Sequence, residues 1–132
     1  MAEQVSFLGL GVMGYPMAGH LSAAGYDVTV YNRTTTKAEK WAGEHEGAFA
    51  ETPAEAARGK SVVFACVGND DDLCSITIGG DGAFDTMEPG SIFVDHTTAS
   101  ANVARELYSI AKEKGIAFID APVSGGQAGA EN

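Results

Sequence analysis

A doubly wound α/β fold, a parallel sheet with helices on both faces, is what this sequence predicts, and three observations carry the prediction. Short β-like runs alternate with helical ones along the chain's 132 residues. The apolar runs are nearly continuous, as in Val62-Val63-Phe64-Ala65, the pattern of strands covered on both sides. A glycine-spaced turn, Gly9-Leu10-Gly11-Val12-Met13-Gly14, follows the first run directly and opens a helix. Strands and helices alternating through short connections imply parallel pairing with right-handed crossovers.

The elements come in order along the chain. A first strand is expected over Gln4 to Leu8, where Val5 and Phe7 alternate with polar neighbours, and the helix after the glycine turn carries Met17, Leu21 and Ala24. A second strand is expected over Asp27 to Tyr31, with a weak third near Ala48 to Ala50. Thr36-Lys37-Ala38-Glu39 has the form of a capping box, in which Thr and Glu side chains bond free N–H groups at a helix start. Trp41, in that helix, is expected to cover sheet surface. Thr52-Pro53-Ala54-Glu55 repeats the box, with Pro53 at the first helical position, where its missing N–H costs nothing. Further strands are expected over Ser61 to Val67, Ser91 to Asp95 and Ile116 to Asp120. Asp70-Asp71-Asp72 reads as a helix start, because consecutive helical residues point apart and negative charge there complements the dipole. No metal site is expected. Ser100 is placed to cap a helix with Val103, Leu107, Ile110 and Ala111 on one face, and Gly115 to end it.

The chain length suits one domain. Acidic residues number 18 against 8 basic, a net charge of −10. Such a balance repels nucleic-acid phosphates and anionic membranes, so neither is expected as a partner. Cys66 and Cys74 match no zinc or redox spacing. Cys66 ends an apolar run and reads as a buried small hydrophobe. With no disulfide framework and no basic segment ahead of an apolar one at the N-terminus, a cytoplasmic protein is expected.

The glycine turn carries the chemistry. Gly9 permits the tight turn, Gly11 lets backbone approach a pyrophosphate, and Gly14 lets helix and strand pack closely. The helix start adds free N–H groups and the positive dipole end. This is the pattern of a Rossmann-type domain binding a dinucleotide. A methyltransferase or a flavin protein of the same architecture also carries such a turn. After the second strand, a site for NAD usually has Asp or Glu to hold the ribose 2′-OH. Here the positions read Asn32-Arg33-Thr34, with no carboxylate to repel a 2′-phosphate and a guanidinium suited to bind one. NADP is therefore the expected cofactor, with NAD possible.

A second constellation, Asp120-Ala121-Pro122-Val123-Ser124-Gly125-Gly126, comes after the last expected strand. Ligands of open parallel sheets bind outside the carboxyl ends of strands. The two glycines let N–H groups point at an anion such as a carboxylate, and Ser124 adds a hydroxyl.

Together with Asn32-Arg33-Thr34 and Val94-Asp95-His96-Thr97-Thr98, these two motifs make the sequence resemble the β-hydroxyacid dehydrogenases, the family of 3-hydroxyisobutyrate and 6-phosphogluconate dehydrogenases. The resemblance implies that Val67, Gly68 and Asp72 line the nucleotide site and that Thr97 and Thr98 lie near the nicotinamide. It implies that Ser124, Gly125 and Gly126 hold a small carboxylate substrate. It also implies a helical second domain carrying a catalytic Lys. No lysine of this sequence stands in that motif, so no catalytic residue is assigned here. Residues 1–132 are expected to be an N-terminal dinucleotide-binding domain of a longer enzyme that self-assembles. A non-catalytic NADPH-binding module and an imine reductase-like enzyme are the alternatives. His20 and His45 are expected at the surface. His96 comes just after a strand end, and the resemblance gives it no role.

Overall fold

Side chains alternate along β1 (Gln4–Leu8), and that alternation divides the molecule into two cores. Val5 and Phe7 face one way, and Ser6 and Leu8 the other. The computed structural model describes residues 3–45, 47–97 and 100–121. Beside β1, the strands are β2 (Asp27–Tyr31), β3 (Ala48–Phe49), β4 (Val62–Ala65), β5 (Ile92–Asp95) and β6 (Ala117–Asp120). All pair in parallel, in the order β3-β2-β1-β4-β5-β6. This is the expected doubly wound sheet, and the order reverses between β1 and β4, where such folds bind ligands.

Helices α1 (Gly14–Ala23) and α2 (Thr35–His45) cover the first face. There Val5, Phe7, Val28 and Val30 bury against Ala18, Ala38 and Trp41. Helices α3 (Pro53–Ala57), α4 (Asp70–Thr77) and α5 (Ala101–Glu113) cover the second. There Leu8, Val63 and Phe93 bury against Leu73, Leu107 and Ala111. Phe93 also stacks on Phe118 at 5.6 Å and meets the edge of Phe84 at 5.4 Å. Each large apolar side chain so buried contributes about 1.5–3 kcal/mol.

Local sequence ends these elements as expected, with one exception. Thr52 accepts a bond from the Glu55 N–H at 3.1 Å, and Ser100 one from Val103 at 3.2 Å. Asn69 accepts from the Asp72 N–H at 2.8 Å, so the acidic run begins α4. After α5, Gly115 turns at φ +76°, its N–H bonding Lys112 and that of Ile116 bonding Ala111, which satisfies two carbonyls at the helix end. The exception is Thr36. Helix α2 already begins at Thr35, so Thr36 lies inside the first turn and is no cap.

Two surroundings also differ from expectation. His45 is half-buried, its ring 4.8 Å from that of Trp41, because Ser22 of α1 bonds its carbonyl and draws the end of α2 inward. Cys66 is half-buried too, because β4 ends at Ala65 and the chain then opens toward a cleft.

Candidate functional site

The carboxyl edge of the sheet is a row in register, Tyr31, Leu8, Ala65, Asp95 and Asp120. The loops that leave these strand ends build the site.

After β1, Gly9 takes φ +99°, and a Cβ there would collide with the Cys66 carbonyl oxygen. Its N–H donates to the Tyr31 carbonyl at 2.8 Å. A Cβ on Gly14 would run into the Gly9 carbonyl, so α1 starts hard against the turn. Gly11 is the opposite case: a Cβ there would meet nothing within 4 Å. The start of α1, at Met13, receives no side-chain cap. The turn therefore offers open space in front of a helix N-terminus.

After β2, Asn32 accepts the Leu10 N–H on its Oδ1 at 2.9 Å and donates from Nδ2 to the Thr34 carbonyl at 3.2 Å. It pins the glycine turn to the second strand. Arg33 extends into solvent and reaches Asp72 of α4, Nη1 to Oδ1, at 3.3 Å. The glycine turn, Tyr31 to Arg33, Cys66 to Gly68, and Asp72, Ser75 and Ile76 enclose a cleft of about 440 Å³.

After β5 the arrangement is dry. Asp95 is fully buried, and its Oδ1 accepts the Thr97 N–H at 2.8 Å. Thr97 Oγ1 accepts the Val67 N–H at 3.0 Å, which ties this strand end to the cleft wall. Asp95 Oδ2 has no partner among the described residues. Burial pushes the Asp95 carboxyl above the usual carboxylate range, a shift that bonds from Thr97 partly oppose. Burial likewise raises the Cys66 thiol, helped by the charge of Asp95, and raises the Tyr31 hydroxyl against the pull of Arg33. His96 lies parallel to Phe64, and its Nδ1 donates to the Ala121 carbonyl at 2.9 Å.

The sequence model for the NAD binding domain of 6-phosphogluconate dehydrogenase matches residues 4–132. The chain belongs to this family. Within it, an "Uncharacterized oxidoreductase" of Shewanella frigidimarina is 59% identical over 129 residues, 98% of this chain and 44% of the relative. A probable 3-hydroxyisobutyrate dehydrogenase-like protein of Arabidopsis thaliana, labelled mitochondrial, is 40% identical over 127 residues, 96% of this chain and 42% of the relative. The solved 3-hydroxyisobutyrate dehydrogenase of Mycobacterium tuberculosis, with L-serine, overlays with a TM-score of 0.86 at 33% identity, covering 99% of this chain and 44% of that one. The chain thus spans less than half the length of these relatives. The expected resemblance to β-hydroxyacid dehydrogenases holds. A Pseudomonas imine reductase also overlays, with a TM-score of 0.82 over 97% of this chain and 43% of that one, but at 21% identity the likeness is of fold alone.

Most residues singled out in the sequence as cofactor-binding meet in the one cleft described above: Gly9 through Gly14, Asn32, Arg33, Val67, Gly68 and Asp72. Thr34 stands exposed beside it, and Thr97 is buried behind it. Thr98, Ser124, Gly125 and Gly126 lie outside the described residues. Sequence reasoning missed Ser75 and Ile76, although their spacing of three and four from Asp72 puts them on its helix face. It also gave Asp95 no role of its own, although the residue closes the apolar run Ile92-Phe93-Val94 with a carboxylate. Among the described residues no His, Cys, Asp and Glu group is placed to hold a metal, and no helix is long and apolar enough to cross a membrane.

Proposed function

We propose that the cleft binds NADP(H), NAD less tightly, and that residues 1–132 are the dinucleotide-binding domain of a longer oxidoreductase. The reaction proposed is interconversion of a small, 3-hydroxyisobutyrate-like β-hydroxyacid and its semialdehyde or oxo acid by hydride transfer. One observation carries this reading: the ends of β1, β2 and β4 converge on a single cleft where the strand order reverses. The space in front of Gly11 and the uncapped start of α1 suit a pyrophosphate, whose charge meets N–H groups and the positive dipole end. Arg33, exposed and next to a neutral Asn32, suits a 2′-phosphate, with Thr34 adding a hydroxyl.

When bound, the nicotinamide supplies or accepts the hydride. The roles proposed for this chain are to hold and orient. Gly9 to Gly14 bind the pyrophosphate, Val67, Gly68 and Asp72 wall the nucleotide, and Thr97 and Thr98 border the nicotinamide. Ser124, Gly125 and Gly126 hold the substrate carboxylate. Among the described cleft residues, Tyr31 and Cys66 are driven toward their neutral forms. The acid–base group is assigned to the rest of the enzyme, as the catalytic Lys implied by the family resemblance suggests. A cytoplasmic setting and self-assembly of the whole protein belong to the same proposal.

The test is titration of this chain with NADPH and NADH, followed by cofactor fluorescence, beside a turnover assay on small semialdehydes and 2-oxo acids. Saturable binding with NADPH the tighter, and no turnover, is the expected result. Absence of saturable binding by either cofactor overturns the reading. Turnover by this chain alone overturns the assignment of the acid–base group elsewhere, and His96 is then the first residue to replace.

A further inference from the structure

We infer that Asp72 sets how strongly the cleft discriminates between NADP and NAD, by competing for Arg33 with a 2′-phosphate. The inference rests on the proposed cofactor reading and deepens it.

Arg33 and Asp72 come from different elements and are 39 positions apart, yet the guanidinium spans the cleft to the carboxylate at 3.3 Å. Of the three acids that open α4, only Asp72 lines the cleft. Asp70 is turned away and accepts the Ser100 N–H at 2.9 Å, while Asp71 is exposed. Successive helical positions are about 100° apart, so one alone can face the ligand. The other carboxylate oxygen of Asp72 stands over Gly68, 3.8 Å from where a Cβ would project.

The fold does not need this carboxylate as a cap. Asn69 already bonds the N–H of Asp72 at 2.8 Å. What the carboxylate does is occupy the cation that a 2′-phosphate would use and present a like charge to that phosphate. NADPH must displace the pair and then sit near Asp72. NADH carries a ribose hydroxyl there, which meets no repulsion from a carboxylate and can donate to it. Asp72 therefore holds down a preference that Arg33 would otherwise make larger.

The experiment measures dissociation constants for NADPH and NADH by fluorescence titration in wild type, Asp72→Asn, Asp72→Ser, Arg33→Ala and Arg33→Ala/Asp72→Asn. Neutralising Asp72 is expected to raise the ratio of NADH to NADPH dissociation constants by about threefold to tenfold, as befits an exposed pair plus one like-charge contact. Asn and Ser are both accepted in a first helical turn, so both variants should show the shift. In the Arg33→Ala background the same change should raise the ratio clearly less than in the presence of Arg33, since no cation remains to be released and only the like-charge contact with the 2′-phosphate is relieved. A purely structural role would weaken both cofactors together and leave the ratio fixed. An unchanged ratio in Asp72→Asn and Asp72→Ser overturns the inference, and so does an equal gain without Arg33. Failure of the wild type to bind either cofactor is a different result and overturns the cofactor reading itself.

Discussion

The ends of β2 and β5 lie on one edge of the same sheet and handle charge in opposite ways. At the β2 end, Arg33 is 84% exposed and its partner Asp72 is 31% exposed. Water screens that pair and either group can be drawn away, so its net worth to the fold is small. At the β5 end, Asp95 is sealed from solvent, takes the Thr97 N–H, and through Thr97 holds the N–H of Val67. A charge kept for a ligand has to be removable from its protein partner. A charge that shapes backbone has to be hard to remove. The first belongs at the surface and the second in the interior, even where both stand on one sheet edge.

The contrast breaks most completely if the frame beneath both ends is lost. Gly14→Ala should do this, because its Cβ meets the Gly9 carbonyl and forces the turn away from the Cys66 strand end. The expected stability loss is at least about 1–3 kcal/mol, with NADPH binding abolished. Urea unfolding and cofactor titration read the two effects. Retention of tight NADPH binding would show that the turn accommodates a side chain.

A smaller change sharpens the β2 side. Arg33→Ala should weaken NADPH binding by about tenfold to a hundredfold, the worth of one charge-assisted bond of about 1.5–3 kcal/mol. Its unfolding midpoint should hardly move, within about 0.5 kcal/mol, since the group is exposed. A large loss of stability would mean that Arg33 supports the fold, and the distinction between the two ends would fall.

Thr97→Val is the matching change at the β5 end. It keeps the shape but removes the hydroxyl that accepts the Val67 N–H. The cost should be about 1–3 kcal/mol in stability, from the Val67 donor left unpaired. Thermal and urea melts of the variant supply the number. A neutral result would make the link from Asp95 to the cleft wall incidental.

The smallest expected effect is one of pH. The folded state raises the Asp95 carboxyl above its ordinary value, with burial as the main cause. Between those two values the native chain binds more protons than the unfolded one, so stability falls as pH rises through that window. At neutral pH the buried charge is a cost, and acidification relieves it. Asp95→Asn does not titrate and lacks this term. Wild type should therefore gain stability relative to Asp95→Asn as pH falls through the raised Asp95 value toward the ordinary carboxylate range, seen as the difference of their urea midpoints. A constant difference would mean that the carboxylate is as well solvated folded as unfolded.

The sequence alone determined the elements and most of their ends. β1 and β2 run over the expected Gln4–Leu8 and Asp27–Tyr31, and Thr52 and Ser100 cap where their spacing predicts. Strand alternation, caps and the glycine turn are local, set by bonds and sterics within a few residues, so they are legible from adjacent letters. It also specified most of the cleft, because a turn after β1 and polar residues after β2 and β4 must share the carboxyl edge of any parallel sheet in this order. Tertiary structure decided what each group meets. Asn32 bonds Leu10 from 22 positions away, Thr97 bonds Val67 from 30, and Arg33 reaches Asp72 from 39. His45 is half-buried because α1 holds the end of α2 against it. Asp95 lost its water because its strand packs inside the sheet, between β4 and β6. Burial and pairing depend on where distant segments pack, and no local pattern of residue types encodes that distance.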